Sequence, residues 1–188
     1  MVAIAILIAV AIGVPLGIVV SRSRWLRKPV LGSTNVLQTI PSLALFGFLL
    51  PAPWLGQRAD RLAVVALVLY ALLPIVHNTF TGITSIDPAL KEAAMGMGMT
   101  DGEILTRLEL PLGLPFILAG IRIATVTAIG VATIAAAIGA GGLGELIFRG
   151  VAMVNDQLIL AGAIPAAALA IIADVLLGGL ERWLRVPK

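Results

Sequence analysis

The sequence predicts an all-α, polytopic membrane protein with about five transmembrane helices and one polar segment folded as a helix on the cytoplasmic face. Three observations carry that prediction. The 188 residues are 60% hydrophobic and only 12% charged, with a mean hydropathy of +1.08, against about 25% charged residues in an ordinary soluble domain. The apolar residues fall into runs long enough to cross a bilayer. The Lys and Arg residues between those runs collect on alternate loops.

A hydrocarbon core about 30 Å thick needs roughly 20 mostly apolar residues in helix, and 2–20 supplies such a run without one charge. A cleaved signal peptide does not fit, because no Lys or Arg precedes the run, the run is too long and no small-x-small cleavage site follows it. Further spans are expected near 30–50, 62–83, 114–138 and 158–177, so 1–188 reads as a single transmembrane domain. No linker, low-complexity tract or internal repeat interrupts it. The absence of Cys excludes a disulfide framework, a thiolate metal site and a cysteine nucleophile.

Loops rich in Lys and Arg stay on the cytoplasmic side. Five spans put Arg22, Arg24, Arg27, Lys28, Lys91, Arg107, Arg182, Arg185 and Lys188 on one side, with Arg122 just inside the membrane from it; Arg58, Arg61 and Arg149 fall opposite. The expected orientation is therefore N-terminus outside and C-terminus cytoplasmic, in a multi-pass protein of the cell (inner) membrane surrounded by lipid. The net charge of +3 follows from this topology and does not point to nucleic acid. Trp25, Trp54 and Trp183 lie near predicted span ends, where an amphipathic indole prefers to sit.

Residues 84–112, between the third and fourth spans, are too polar to cross and too long for a simple turn. Asp87 before Pro88 signals a helix start, since the carboxylate caps free N–H groups and proline suits the first helical position. That helix should run to about Met95. Gly96 and Gly98 permit the left-handed backbone that ends a helix, and Thr100 with Glu103 has capping-box spacing for a second helix, expected to end at Pro111. Lys91 is expected to be solvated.

Within this loop Glu92-Ala93-Ala94 is followed after three residues by Gly98, after nine more by Leu108, and after one more by Leu110-Pro111. The pattern resembles the EAA loop of permease subunits of binding-protein-dependent ABC importers, with Leu108 in place of the commoner isoleucine. The segments 38–47 (QTIPSLALFG), 66–75 (ALVLYALLPI) and 138–144 (IGAGGLG) are similar to the glycine betaine, carnitine, choline and proline osmoprotectant permeases, and this likeness covers nearly the whole chain. Those permeases usually carry residues before the first span, whereas here Met1 leads straight into it, so a longer natural N-terminus is allowed for.

The resemblance implies that the loop docks in a groove of an ATPase subunit. It further implies a second permease subunit, identical or similar, and an external or periplasmic substrate-binding protein. ATP hydrolysis would belong to the partner, since this chain has no G-x-x-x-x-G-K-[ST] phosphate loop. An importer for amino acids such as methionine shares the loop and stays open as an alternative. An ion-coupled secondary transporter is disfavoured by the lack of inverted repeats and of paired intramembrane carboxylates.

No catalytic, metal-binding or cofactor-binding constellation is found, and no cofactor is expected. Gly139, Gly141 and Gly144 satisfy G-x-G-x-x-G but follow an apolar helix, so a turn at the outer face is expected there. His77, the single histidine, reads as a hydrogen-bonded structural residue. Thr34, Gln38 and Ser42 recur every four residues, a polar stripe suited equally to pathway lining or helix association. Pro41 within it could kink the helix. Arg122 and Asp174 fall at similar depth on oppositely directed spans, and an intramembrane ion pair is expected because either charge alone in lipid is costly. The scattered Trp, Tyr and Phe residues suggest no aromatic cage for a quaternary ammonium within the spans.

Overall fold

The computed structural model describes residues 1–52 and 58–184, so Trp54, Arg185 and Lys188 lie outside the described residues. Every regular element among the described residues is helical. In chain order these are α1 (Val2–Arg22), α2 (Arg24–Thr39), α3 (Ser42–Leu49), α4 (Ala59–Thr84), α5 (Pro88–Gly96), α6 (Asp101–Ile104), α7 (Leu110–Ile134), α8 (Leu143–Met153) and α9 (Asp156–Trp183). A π-helical turn, Leu105–Glu109, joins α6 to α7, and a 3₁₀ turn, Ala135–Ile138, follows α7.

Among the described residues four stretches are long and apolar enough to cross a membrane: α1, α4, the continuous helical stretch Asp101–Ile138, and α9. α4 is the hub. Half of its apolar window is buried within the chain, against 6% for α9, and it packs against both α1 and α7 while α9 packs on α7 and α8. Ala5, Phe46, Leu62, Leu67, Tyr70 and Ala128 form the centre of the core.

Apolar helices gain no hydrophobic free energy by leaving lipid for each other, so close van der Waals packing has to hold them. Small residues at the contacts meet that need. A Cβ on Gly17 would lie 2.6 Å from the Thr79 Cβ, and one on Gly120 would lie 2.7 Å from the Pro74 carbonyl oxygen. These two positions set how closely α1 and α7 approach α4.

The second expected span, 30–50, is a broken one. The chain forms α2 from Arg24 and stops it at Thr39, and α3 begins at Ser42. Pro41 has no N–H to donate and disfavours helical backbone in the residue before it, so Ile40 takes φ −73° and ψ 123°. The Ile40 carbonyl, left without a helical partner, accepts from the Tyr70 hydroxyl. Neither α2 nor α3 is long and apolar enough to cross alone, so the figure of about five passages treats them as one interrupted passage.

The second loop helix also differs from expectation. It does not end at Pro111 but runs on through the π turn into α7. The wide turn shifts the hydrogen-bond ladder by one residue just before a proline that cannot join it, so the chain keeps its direction. The glycine segment is a turn between α7 and α8, with Gly139, Gly141 and Gly142 at φ of 82°, 72° and 87°, and it forms no nucleotide-binding unit.

Gly120→Leu should separate α4 from α7 and lower the thermal unfolding midpoint of the detergent-solubilised protein by several degrees, since overpacking costs about 1–3 kcal/mol. Gly130→Leu, at a position where an added Cβ would meet nothing within 4 Å, should leave the midpoint unchanged in the same fluorescence-monitored melt.

Candidate functional site: the polar loop and the charge pairs

The loop is built from short-range signals. Asp87 Oδ1 accepts from the Ala89 N–H at 2.9 Å, with Pro88 in the first helical position. α5 closes at Met97, whose N–H donates to the Ala93 carbonyl at 3.0 Å, and Gly98 turns the chain at φ +83°. Thr100 and Glu103 then form a reciprocal capping box: the Glu103 N–H donates to Thr100 Oγ1 and the Thr100 N–H to Glu103 Oε2. Each such cap contributes about 1 kcal/mol, which fixes where these short helices begin.

α5 presents apolar groups to water. Leu90 is 48% exposed and Met97 77% exposed, and Ala93 between them is exposed as well. Their spacing of i, i+3 and i+7 puts them on one face. Glu92 and Met95 are exposed on other sides of the helix, while Ala94 is buried. Leu90, Ala93 and Met97 are left uncovered by the rest of the chain. Leu108, Leu110 and Pro111 lie on another element, in and just after the π turn. Leu108 and Leu110 are half-buried and Pro111 is exposed.

Behind α5 lies a residue that sequence reasoning does not single out. Glu109 is 1% exposed. Its Oε2 meets Arg22 Nη2 at 2.5 Å and its Oε1 meets Lys91 Nζ at 2.8 Å. Lys91 is therefore not simply solvated; it also donates to the Ile83 carbonyl at 3.1 Å. The local signal for Glu109 is slight: one acidic residue in the apolar approach to Pro111.

Arg122 and Asp174 are brought together in a two-point contact, Nε to Oδ1 at 2.6 Å and Nη2 to Oδ2 at 2.8 Å. Glu181 Oε2 lies 3.6 Å from Arg122 Nη1. The guanidinium rests on Gly178, where a Cβ would come within 3.0 Å of Nη1.

The Thr34, Gln38 and Ser42 stripe does not form as a stripe. The break at Ile40–Pro41 puts Ser42 on α3 and Gln38 on α2. Thr34 is buried and donates to the Val30 carbonyl, Gln38 is exposed and Ser42 is half-buried. His77 is exposed on α4. Between α1, α7 and α9 runs an open apolar groove of about 750 Å³, bordered by the glycine turn and lined by Ile6, Leu7, Ile121, Thr125 and Leu169 among others. Its lining includes no charged and no aromatic side chain.

The described residues form a helical membrane bundle with one capped helix on a polar loop, and comparison with known proteins defines the class. The family model "Binding-protein-dependent transport system inner membrane component" matches residues 6–186. The chain belongs to this family of binding-protein-dependent permeases. It is 48% identical over 183 residues to an osmoprotectant import permease protein of Salmonella typhimurium, covering 96% of this chain and 85% of the relative. It is likewise 48% identical to a glycine betaine/carnitine/choline transport system permease protein of Bacillus subtilis, covering 95% of this chain and 77% of that one. A carnitine transport permease protein of Listeria monocytogenes is 47% identical over 97% of this chain and 81% of its own length. The fold matches a solved structure of the MetNI methionine ABC transporter in an inward-facing conformation, with a TM-score of 0.89 at 22% identity over 99% of this chain and 92% of that one.

If the Arg122–Asp174 contact holds α7 to α9, then Arg122→Asp and Asp174→Arg should each reduce the amount of protein extracted from membranes as a monodisperse species. The double exchange should restore part of it, as read by size-exclusion profiles, because the carboxylate it places at position 122 also faces Glu181. A triple variant that adds Glu181→Gln should recover more, and no recovery there would mean that the two charges act separately.

Proposed function

We propose that this chain is a pathway-forming permease subunit of an ATP-driven importer for osmoprotectants, quaternary amines of the glycine betaine, carnitine and choline type. The observation that carries the reading is the exposed Leu90, Ala93 and Met97 face on a capped helix within a chain 48% identical to an osmoprotectant import permease. A methionine importer has less support. The likeness to the methionine transporter is one of fold, at 22% identity, whereas the relatives at 42–48% identity include permeases named for choline, carnitine and glycine betaine transport.

In this reading the α5 face and the Gly98 turn seat in an ATPase subunit, with the exposed Glu92 on the flank of the same helix. Two permeases, identical or paired with a similar chain, pair across the membrane; two ATPases sit beneath and an external binding protein delivers substrate. The N-terminus faces outward and the C-terminus the cytoplasm, consistent with the Lys and Arg distribution. Closure of the ATPases on ATP would displace α5, and the spans rigidly connected to it would switch the pathway between inward- and outward-facing states. The chain itself catalyses no covalent step. The aromatic-free groove offers a quaternary ammonium no cage, so high-affinity selection belongs to the binding protein.

Gly98→Val forces a side chain onto φ +83°, and Glu92→Lys reverses an exposed charge on the docking helix. Each should reduce copurification of the ATPase, or its stimulation by substrate-loaded binding protein, at least several-fold while membrane insertion stays normal. Normal transport by both variants would refute the assigned role of the loop.

A further inference from the structure

We propose that Glu109 is the positioning residue that makes α5 move as one body with the membrane helices; the coupling part of this proposal rests on the reading of α5 as the ATPase-docking helix. The carboxylate is 1% exposed and holds two cations from separate elements, Arg22 at the end of α1 and Lys91 on α5. Glu109 itself closes the π turn at the start of α7. Lys91 adds the Ile83 carbonyl, near the end of α4. One side-chain cluster thus ties the loop helix to α1, α4 and α7 together.

Few other contacts among the described residues tie α5 to the bundle. Its remaining hydrogen bonds are its own caps and the turn to α6, and Ala94 is its buried residue. A helix on a flexible tether would absorb a partner's displacement in the tether. A charge-assisted contact on a buried carboxylate resists that, because moving Lys91 away removes one of the two cations from a carboxylate that is 1% exposed and has little water to replace it. The π turn takes part in the placement. Its extra residue rotates α7 relative to α6 by about 100°, and it ends on the residue whose side chain reaches between α1 and α5. Arg22 and Lys91 are 42% and 28% exposed at their side chains, so the cations sit at the rim and the carboxylate at the centre.

The chain has no cysteine, so spin labels at Arg24→Cys and Ala89→Cys report the separation of the α1 end from α5 without interference. In the full-length permease in nanodiscs the distance distribution should be narrow, and Glu109→Gln should broaden it at least two-fold. Lys91→Met, which removes the α5 arm and leaves Arg22 on Glu109, should broaden it as well and decides the matter if Glu109→Gln does not insert. In the complex with the ATPase both variants should keep copurification but hydrolyse several-fold more ATP per substrate imported. An unchanged distance distribution overturns the proposal, as does loss of ATPase binding with an unchanged distribution, which would make these residues docking contacts. If the unsubstituted chain never associates with an ATPase, the coupling reading fails while the distance measurement still judges the joint.

Discussion

Hydrocarbon offers no hydrogen-bond partner to a backbone amide, and that constraint governs where this chain is free to depart from regular helix. It departs in few places, and the clearest have a substitute partner. At Ile40 the backbone leaves the helix ahead of Pro41, and its free carbonyl accepts from the Tyr70 hydroxyl of the neighbouring α4. Before Pro111 the π turn widens the ladder, and helical structure runs on from Asp101 to Ile138. At the far end of that stretch the turn needs three glycines at positive φ. Breaks in such a bundle are therefore placed, and each marks a point where the direction of the chain changes or a side chain is re-aimed.

The same scarcity of partners explains the charges. Arg122 engages Asp174 and Glu181, and Glu109 engages Arg22 and Lys91. Glycine contacts bring α1 and α7 close to α4, giving a bundle packed tightly at its centre, while α9 is largely uncovered within the chain. The loop is tied to the bundle through Glu109, and the surface along α1, α7 and α9 is open, where the apolar groove lies. That division suits a family whose permeases are expected to pair and to be driven from one face.

Local signals are legible in the sequence, and distant ones only where span depth constrains them. Asp87, Gly98 and the Thr100–Glu103 box act over two to four residues, and spacing alone located them. Arg122 and Asp174 are 52 positions apart yet were matched by depth, because span directions alternate. Glu109 had no such guide: Arg22 lies 87 positions away, and a lone glutamate near a span end looks like an interfacial charge. The second passage reads as one run because hydropathy averages over a window, which hides the polar start of α2, while Pro41 supplies the local signal for the break. Pro111 misled for a related reason. Proline announces a lost hydrogen bond, but whether the helix stops or widens depends on the turn before it.

The most direct test of the whole account is substrate uptake in sealed vesicles containing this chain, its ATPase and its binding protein. The account predicts that accumulation of labelled glycine betaine, choline or carnitine requires ATP on the ATPase side and substrate-loaded binding protein on the other, and that collapsing ion gradients leaves it intact. Accumulation driven by an ion gradient without ATP would contradict it.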